Sequence, residues 1–149
     1  MDIRKIVDNK RSYLPLLLLA DEDERSIDAY IDRGDLYALF DDGLKSVCVV
    51  TDEGDGSFEL QNLATDPAFQ RKGYASALIK YIKLEYAERG RTLWVGTGDS
   101  PLTIPFYKHN GFAYSHTITD EILRHYDHPI YENGVQLRDK VYLRMQIGG

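Results

Sequence analysis

The chain has 149 residues but only one cysteine, one tryptophan and five prolines. The lone thiol, Cys48, excludes an internal disulfide and any zinc site built from paired cysteines. It stands in the run Val47-Cys48-Val49-Val50, where a small thiol reads as a buried hydrophobe and a poor nucleophile. Long apolar runs are also missing. The longest, residues 14–20, contains Pro15 and falls far short of the ~20 residues of a membrane span. The opening Met1-Asp2-Ile3-Arg4-Lys5 has mixed charge and no signal-peptide core. A cytoplasmic protein without a membrane partner is therefore expected. Basic charge is in deficit: Lys plus Arg is 18 against 24 Asp plus Glu, a net charge of −6. That argues against a nucleic-acid partner gripped through a broad basic face.

What is present is ordinary for a globular protein: 43% hydrophobic and 28% charged residues. One domain over residues 1–149 is expected, burying about 70% of the surface that the unfolded chain exposes. Residues 2–7 read as a first strand, and Ser12 as the N-cap of a short helix reaching residue 19. A second helix is expected over 22–33, stopped by Gly34. Strands at 35–40 and 44–51, joined by Asp41-Asp42-Gly43, predict a hairpin, and 57–64 a third antiparallel strand. The period then lengthens: Ala75, Leu78, Ile79, Ile82 and Tyr86 predict a helix over 73–89. The strand at 92–95 completes a parallel crossover unit. A short helix with Thr103 as cap and Pro105 in its first turn is preferred over one capped by Ser100. Strands at 112–119 and 140–147 flank an irregular stretch rich in Tyr, His and Asp. The fold class is α/β (α+β): a mixed, mostly antiparallel sheet with a parallel pair and helices on both faces.

The stretch most informative about chemistry is 63–76. A strand ends, and a helix opens from the loop Gln70-Arg71-Lys72-Gly73. The first amides of a helix have no partner within it and carry partial positive charge. A glycine lets a phosphate approach the backbone, and two cations stand beside it. The same residues also fit a plain helix start with solvated cations. The Walker pattern and the three-glycine dinucleotide fingerprint are both absent, which disfavours a nucleotide-phosphate binder.

Gln70-Arg71-Lys72-Gly73-Tyr74-Ala75 resembles the Q/R-x-x-G-x-G/A motif of the GNAT N-acetyltransferase superfamily, with Ala75 at the second small position. Phe106-Tyr107-Lys108-His109-Asn110-Gly111-Phe112 is similar to the family's F-Y-x-x-x-G-F segment. The order of elements over residues 2–147 fits as well, closest to small single-domain bacterial members. The resemblance implies a GNAT-like sheet with a splayed parallel pair and acetyl-CoA as donor, without a metal. It puts the diphosphate on the backbone N–H groups of Arg71, Lys72, Gly73, Tyr74, Ala75 and Ser76, with Gln70 also binding the cofactor, and the pantetheine arm beside Leu63, Ala64 and Thr65. The N–H near Leu63 would polarise the thioester carbonyl.

The resemblance also implies that Tyr107 is the acid that protonates the leaving thiolate. Glu59, eleven residues before Gln70, is the candidate base. The alternatives are that Tyr107 merely packs, and that Glu59 faces solvent with Gln61 and Leu63. Gln61 or Asn62 would then orient a water. The 119–134 stretch reads either as a lid offering Asp120, Glu121, Tyr126 and Asp127 to a cationic amine, or as a surface excursion. His125 and His128, around Asp127, form at best a weak metal motif. The expected acceptor is a small-molecule amine. A peptide N-terminus and a non-catalytic acetyl-CoA-binding module are the alternatives, and a homodimer paired through the C-terminal strands is possible.

Overall fold

The computed structural model describes residues 1–148. In chain order the elements are β1 (Asp2–Ile6), α1 (Leu14–Ala20), α2 (Glu24–Ile31), β2 (Asp35–Phe40), β3 (Leu44–Gly54), β4 (Ser57–Thr65), α3 (Tyr74–Tyr86), β5 (Thr92–Gly98), α4 (Thr103–His109), β6 (Ala113–Ile118), α5 (Glu121–His125), β7 (Tyr131–Glu132), β8 (Val135–Gln136) and β9 (Lys140–Gln146). Seven strands form one sheet in the order β1-β2-β3-β4-β5-β9-β6, and β7 pairs with β8 in a separate small hairpin. Among the described residues only β4 and β5 run parallel. The mixed sheet with helices on both faces is as expected, with β6 returning to pair with β9.

Period-two alternation divides the core between the faces. Leu36 and Ala38 of β2, with Val47 and Val49 of β3, pack against Leu17 of α1 and Ile27 and Ile31 of α2. Tyr37 and Leu39, with Cys48 and Val50, face Leu78, Ile79 and Ile82 of α3. Burial of each large aliphatic side chain contributes about 1.5–3 kcal/mol. Cys48 is fully buried, and burial pushes its thiol well above the ordinary cysteine range, as the apolar reading requires.

Several boundaries move for local reasons. Ser12 does not cap α1: its hydroxyl donates to the Asn9 carbonyl at 2.7 Å, within a 3-10 turn over Lys10–Tyr13. The next helix begins at Glu24 because Asp23 accepts the Arg25 N–H at 3.0 Å. At α4 the two expectations merge. The helix starts at Thr103 with Pro105 in its first turn, but the cap is Ser100, whose Oγ accepts the N–H groups of Leu102 and Thr103 at 3.1 and 3.3 Å. Thr103 instead meets Thr97, hydroxyl to hydroxyl, at 3.0 Å. No helix among the described residues is long and apolar enough to cross a membrane.

Candidate active site

The site begins at an irregularity in β4. Val49 is opposite Asn62 while Val50 is opposite Leu60, so Gln61 is the extra residue of a bulge. The bulge resets the side-chain alternation. Phe58 and Leu60 face α3, but after it Asn62 and Ala64 join the α1–α2 side and Leu63 packs toward α3. Glu59 therefore does not share its face with Leu63, contrary to simple alternation. Gln61 does turn to the Glu59 side, where its Nε2 donates to Thr51 Oγ1 at 3.1 Å; Thr51 is the residue opposite Glu59.

The parallel pairing of β4 with β5 also stops at the bulge. It runs from Ser57 opposite Thr92 to Leu60 opposite Val95 and no further. Beyond it β4 keeps β3, and β5 keeps β9, but their facing edges part. Backbone amides on parted edges need partners, and a ligand amide can supply them. A cavity of about 830 Å³ fills the gap, lined by Leu63, Ala64, Thr65 and Gln70 on one side and Tyr107 of α4 on another. The β5 wall has no side chains at Gly96 and Gly98. A Cβ at Gly96 would lie 2.6 Å from Lys140 Cε, and one at Gly98 would lie 2.7 Å from Leu137 Cδ1. Glycine at both places lets Lys140, Tyr142 and Leu137 lie across the strand and join the wall.

At one end of the cavity Gln70 leads into the helix start. Arg71 (φ 64°) and Gly73 (φ 85°) take left-handed backbone, and Gly73 is the N-cap of α3. No side chain caps this end and no acidic residue stands in its first turn. A Cβ on Gly73 would meet nothing within 4 Å, so the backbone there is open to a ligand. Tyr74 turns inward, its hydroxyl donating to Asp41 at 2.7 Å, so that it offers only its main chain. Lys45, on β3, lies 3.7 Å from the Phe69 ring centre, and Lys72 lies 5.8 Å from it. Lys45 is a cation near the loop that sequence spacing could not supply, because it comes from another strand.

Tyr107 lines the cavity and is 9% exposed, with Phe106 and Phe112 packed edge-on at 5.3 and 5.6 Å. Burial is the main cause that holds its phenol above the ordinary tyrosine range. Glu59 is half-buried but does not line the cavity; burial raises its pKa, opposed by the nearby Lys140.

Another part of the cavity wall comes from the irregular stretch, which hydrogen bonds tie to the α1–α2 region. Tyr126 donates to Asp21 Oδ1 at 3.1 Å, and Tyr30 donates to Asp21 Oδ2 at 3.2 Å. His125 Nε2 meets Ser26 Oγ at 2.6 Å, and His128 pairs with Glu22 and with Asp127, the latter at 2.6 Å. Of the four residues named for a lid, Glu121 and Tyr126 line the cavity, and Asp120 and Asp127 do not. The two histidines serve as latches. No group of three His, Cys, Asp or Glu able to hold a metal occurs among the described residues. Sequence reasoning missed Glu132, Lys140 and Asp21 as wall residues. No motif marks them, since only the packing of the hairpin, β9 and the residue after α1 brings them there.

A family model described as an acetyltransferase (GNAT) domain matches residues 32–114, which contain the Gln70–Gly73 loop, the bulge and Tyr107. The chain belongs to the GNAT acetyltransferase family. An uncharacterized N-acetyltransferase of Bacillus subtilis, YvbK, is 34% identical over 139 residues, covering 89% of this chain and 87% of the relative. Among solved structures, an IAA acetyltransferase from Bacillus cereus is 31% identical with a TM-score of 0.90, covering 97% of this chain and 98% of that one. A GNAT acetyltransferase from Elizabethkingia anophelis, solved with acetyl-CoA bound, is 27% identical with a TM-score of 0.91 and covers 97% of each chain. This GNAT protein is accordingly an acetyl-CoA-dependent N-acetyltransferase, and the parted strands and uncapped helix start suit a long cofactor with an anionic diphosphate.

Proposed function

We propose that this GNAT enzyme moves an acetyl group directly to the primary amine of a small polar acceptor. The supporting observation is one cavity lined by Gln70, Tyr107 and the irregular stretch, which the Tyr126–Asp21 and His125–Ser26 contacts tie across the sheet to the α1–α2 region. A cavity bordered by such a tied segment suits a small molecule better than a peptide, which needs an open groove. Residues 70–76 are the cradle, which holds the diphosphate through main-chain amides. Leu63, Ala64 and Thr65 present the free edge of β4 to the pantetheine amides, and a backbone N–H near Leu63 stabilises the charge developing on the carbonyl oxygen. Acetyl-CoA supplies the activated acetyl group.

Tyr107 gives its proton to the departing sulfur. Its raised pKa keeps the phenol protonated throughout the working range. The same apolar surroundings make a thiolate a stronger base, which balances the weaker acid. Glu59 stands outside the cavity wall, so any part it has in the transfer is not direct contact with the amine.

The test is CoA release measured over amino acids, polyamines, aminoglycosides and short peptides. Turnover concentrated on small amines is expected. Faster turnover of peptides would overturn the small-acceptor reading, and binding without release would overturn the catalytic role of Tyr107.

A further inference from the structure

The amine of a small acceptor arrives as an ammonium, and something must hold that cation and take its proton. We propose that Glu132 is this residue: the carboxylate in the cavity wall that meets the acceptor's ammonium directly and accepts its proton. The proposal deepens the acetyl-transfer reading above and rests on it.

The argument starts from the small hairpin. Tyr131 is opposite Gln136 and Glu132 opposite Val135, across the turn Asn133-Gly134, whose φ values of 51° and 78° suit a two-residue hairpin turn. The hairpin is pinned to the sheet at its base. Leu137, 6% exposed, lies against Gly98, and its N–H donates to the Ile130 carbonyl at 2.8 Å. The next residue, Arg138, donates its N–H to Asp99 Oδ1 at 2.8 Å, and the Asp99 N–H donates to the Asp139 carbonyl at 3.0 Å. These bonds fix Glu132 beside the end of β5 rather than on a loose loop.

Glu132 is half-buried and shares the cavity wall with Tyr107. Among the described residues it makes neither an ion pair nor a side-chain hydrogen bond. The other carboxylates of the wall are engaged: Asp21 by two tyrosine hydroxyls, Glu22 by His128, and Glu121 by Arg124 at 3.7 Å. Burial is the largest cause of the raised Tyr107 pKa, and the Glu132 charge contributes to it, so the two groups share one field. The titratable groups sharing the wall with them are Lys140 and Tyr142 of β9, Glu121 and His125 of α5 with Tyr126 after it, Tyr131 beside Glu132, and, from the α1–α2 side, Asp21, Glu22, Tyr30 and Arg33.

An unpaired, half-buried carboxylate is a strong site for a cation. The proton balance closes. The ammonium gives one proton to Glu132, and the freed nitrogen pair attacks the carbonyl carbon. The C–N bond forms, the C–S bond breaks, and the sulfur takes the Tyr107 proton. The second proton lost from nitrogen restores Tyr107, and Glu132 releases its proton to water, leaving amide, thiol and one net proton.

The experiment compares wild type, Glu132→Gln and Glu132→Asp with the small amine turned over fastest in the panel, from pH 6 to 10. CoA affinity is titrated alongside. For Glu132→Gln we expect a fall in kcat/KM of about 100-fold near pH 7, within the range for loss of a general base. The deficit should shrink as pH rises and the amine loses its proton unaided. Glu132→Asp should recover part of the rate, and CoA affinity should stay within twofold. A Glu132→Gln rate equal to wild type would overturn the proposal. So would a deficit that is the same at every pH, or one accompanied by lost CoA affinity, since either marks a structural role. Failure of wild type to acetylate any small amine would overturn the transfer reading itself.

Discussion

Gly73→Ala separates the cost of backbone strain from the cost of a blocked ligand. Gly73 has φ 85°, and a Cβ there would meet no protein atom within 4 Å. In the free protein the substitution therefore costs only the left-handed backbone of an L-residue, about 1 kcal/mol. For a chain of this length that lowers Tm by about 2–4 °C. With the cofactor bound, the methyl group projects into the space from which the diphosphate approaches. Loss of one charge-assisted hydrogen bond there costs about 1.5–3 kcal/mol, or roughly 10- to 100-fold in Kd. Gly54→Ala is the internal control. It has φ 90° and equally open surroundings, but it lies at the β3–β4 turn, the far end of β4 from the cradle, about 26 Å of strand away. Thermal unfolding should show similar Tm losses for both variants, while calorimetric titration with CoA should show weakened binding for Gly73→Ala alone. Equal CoA affinities in the two variants would refute the placing of the diphosphate at the start of α3, whatever the activity.

Three further outcomes follow from the same geometry. Tyr107→Phe keeps the ring contacts with Phe106 and Phe112 and removes only the hydroxyl. Turnover should fall by about 100-fold, with Tm and CoA affinity unchanged; an unchanged rate, with product release shown not to limit, removes the acid role. Burial raises the folded pKa of Glu59, so its ionisation disfavours the fold. That penalty is absent below the unfolded pKa of about 4.3 and complete above the raised folded one. Glu59→Gln should therefore gain stability relative to wild type at pH 8 and none at pH 4 in urea titrations. His128 is raised by its hydrogen bonds to Asp127 and then Glu22. Its contribution to the latch is complete below about pH 6.5 and lost as pH rises through the higher folded value. Protection factors for hydrogen exchange over 126–131, referred to the intrinsic rate at each pH, should fall between pH 6 and 8.5 in wild type, and His128→Ala should remove that fall.

The sheet and the loop that opens α3 were legible because each element announces itself locally. The alternation in 57–64 and the helical spacing of Leu78, Ile82 and Tyr86 are properties of contiguous residues. The loop at Gln70 and the segment at Phe106 are likewise contiguous, which is why their resemblance to a family could be read directly. What stayed hidden depends on distant pieces of chain. A bulge leaves no mark on a strand of ordinary composition, and Gln61 looks like any outward-facing residue until its pairing with β3 is seen. Glu132 sits in a stretch, 120–132, where about every second residue is charged or aromatic. Its significance comes from Leu137 seating against Gly98, a contact between two elements with no motif between them.

The bulge and the two glycines of β5 act together on the same opening. The bulge ends the parallel pairing at Leu60, which frees the β4 edge for ligand amides. A β5 with side chains at positions 96 and 98 would still close the gap. Methyl groups there would collide with Lys140, Tyr142 and Leu137 and displace those residues from the wall. The collision at Gly98 involves Leu137, the residue that seats the hairpin carrying Glu132. Gly98→Ala should therefore affect the acceptor end more than the cofactor end. The expected result is a raised KM for the amine, with CoA affinity within twofold of wild type. Equal losses for both ligands would mean that the hairpin and the cradle are not independently supported, and that the opening between β4 and β5 is held as one unit.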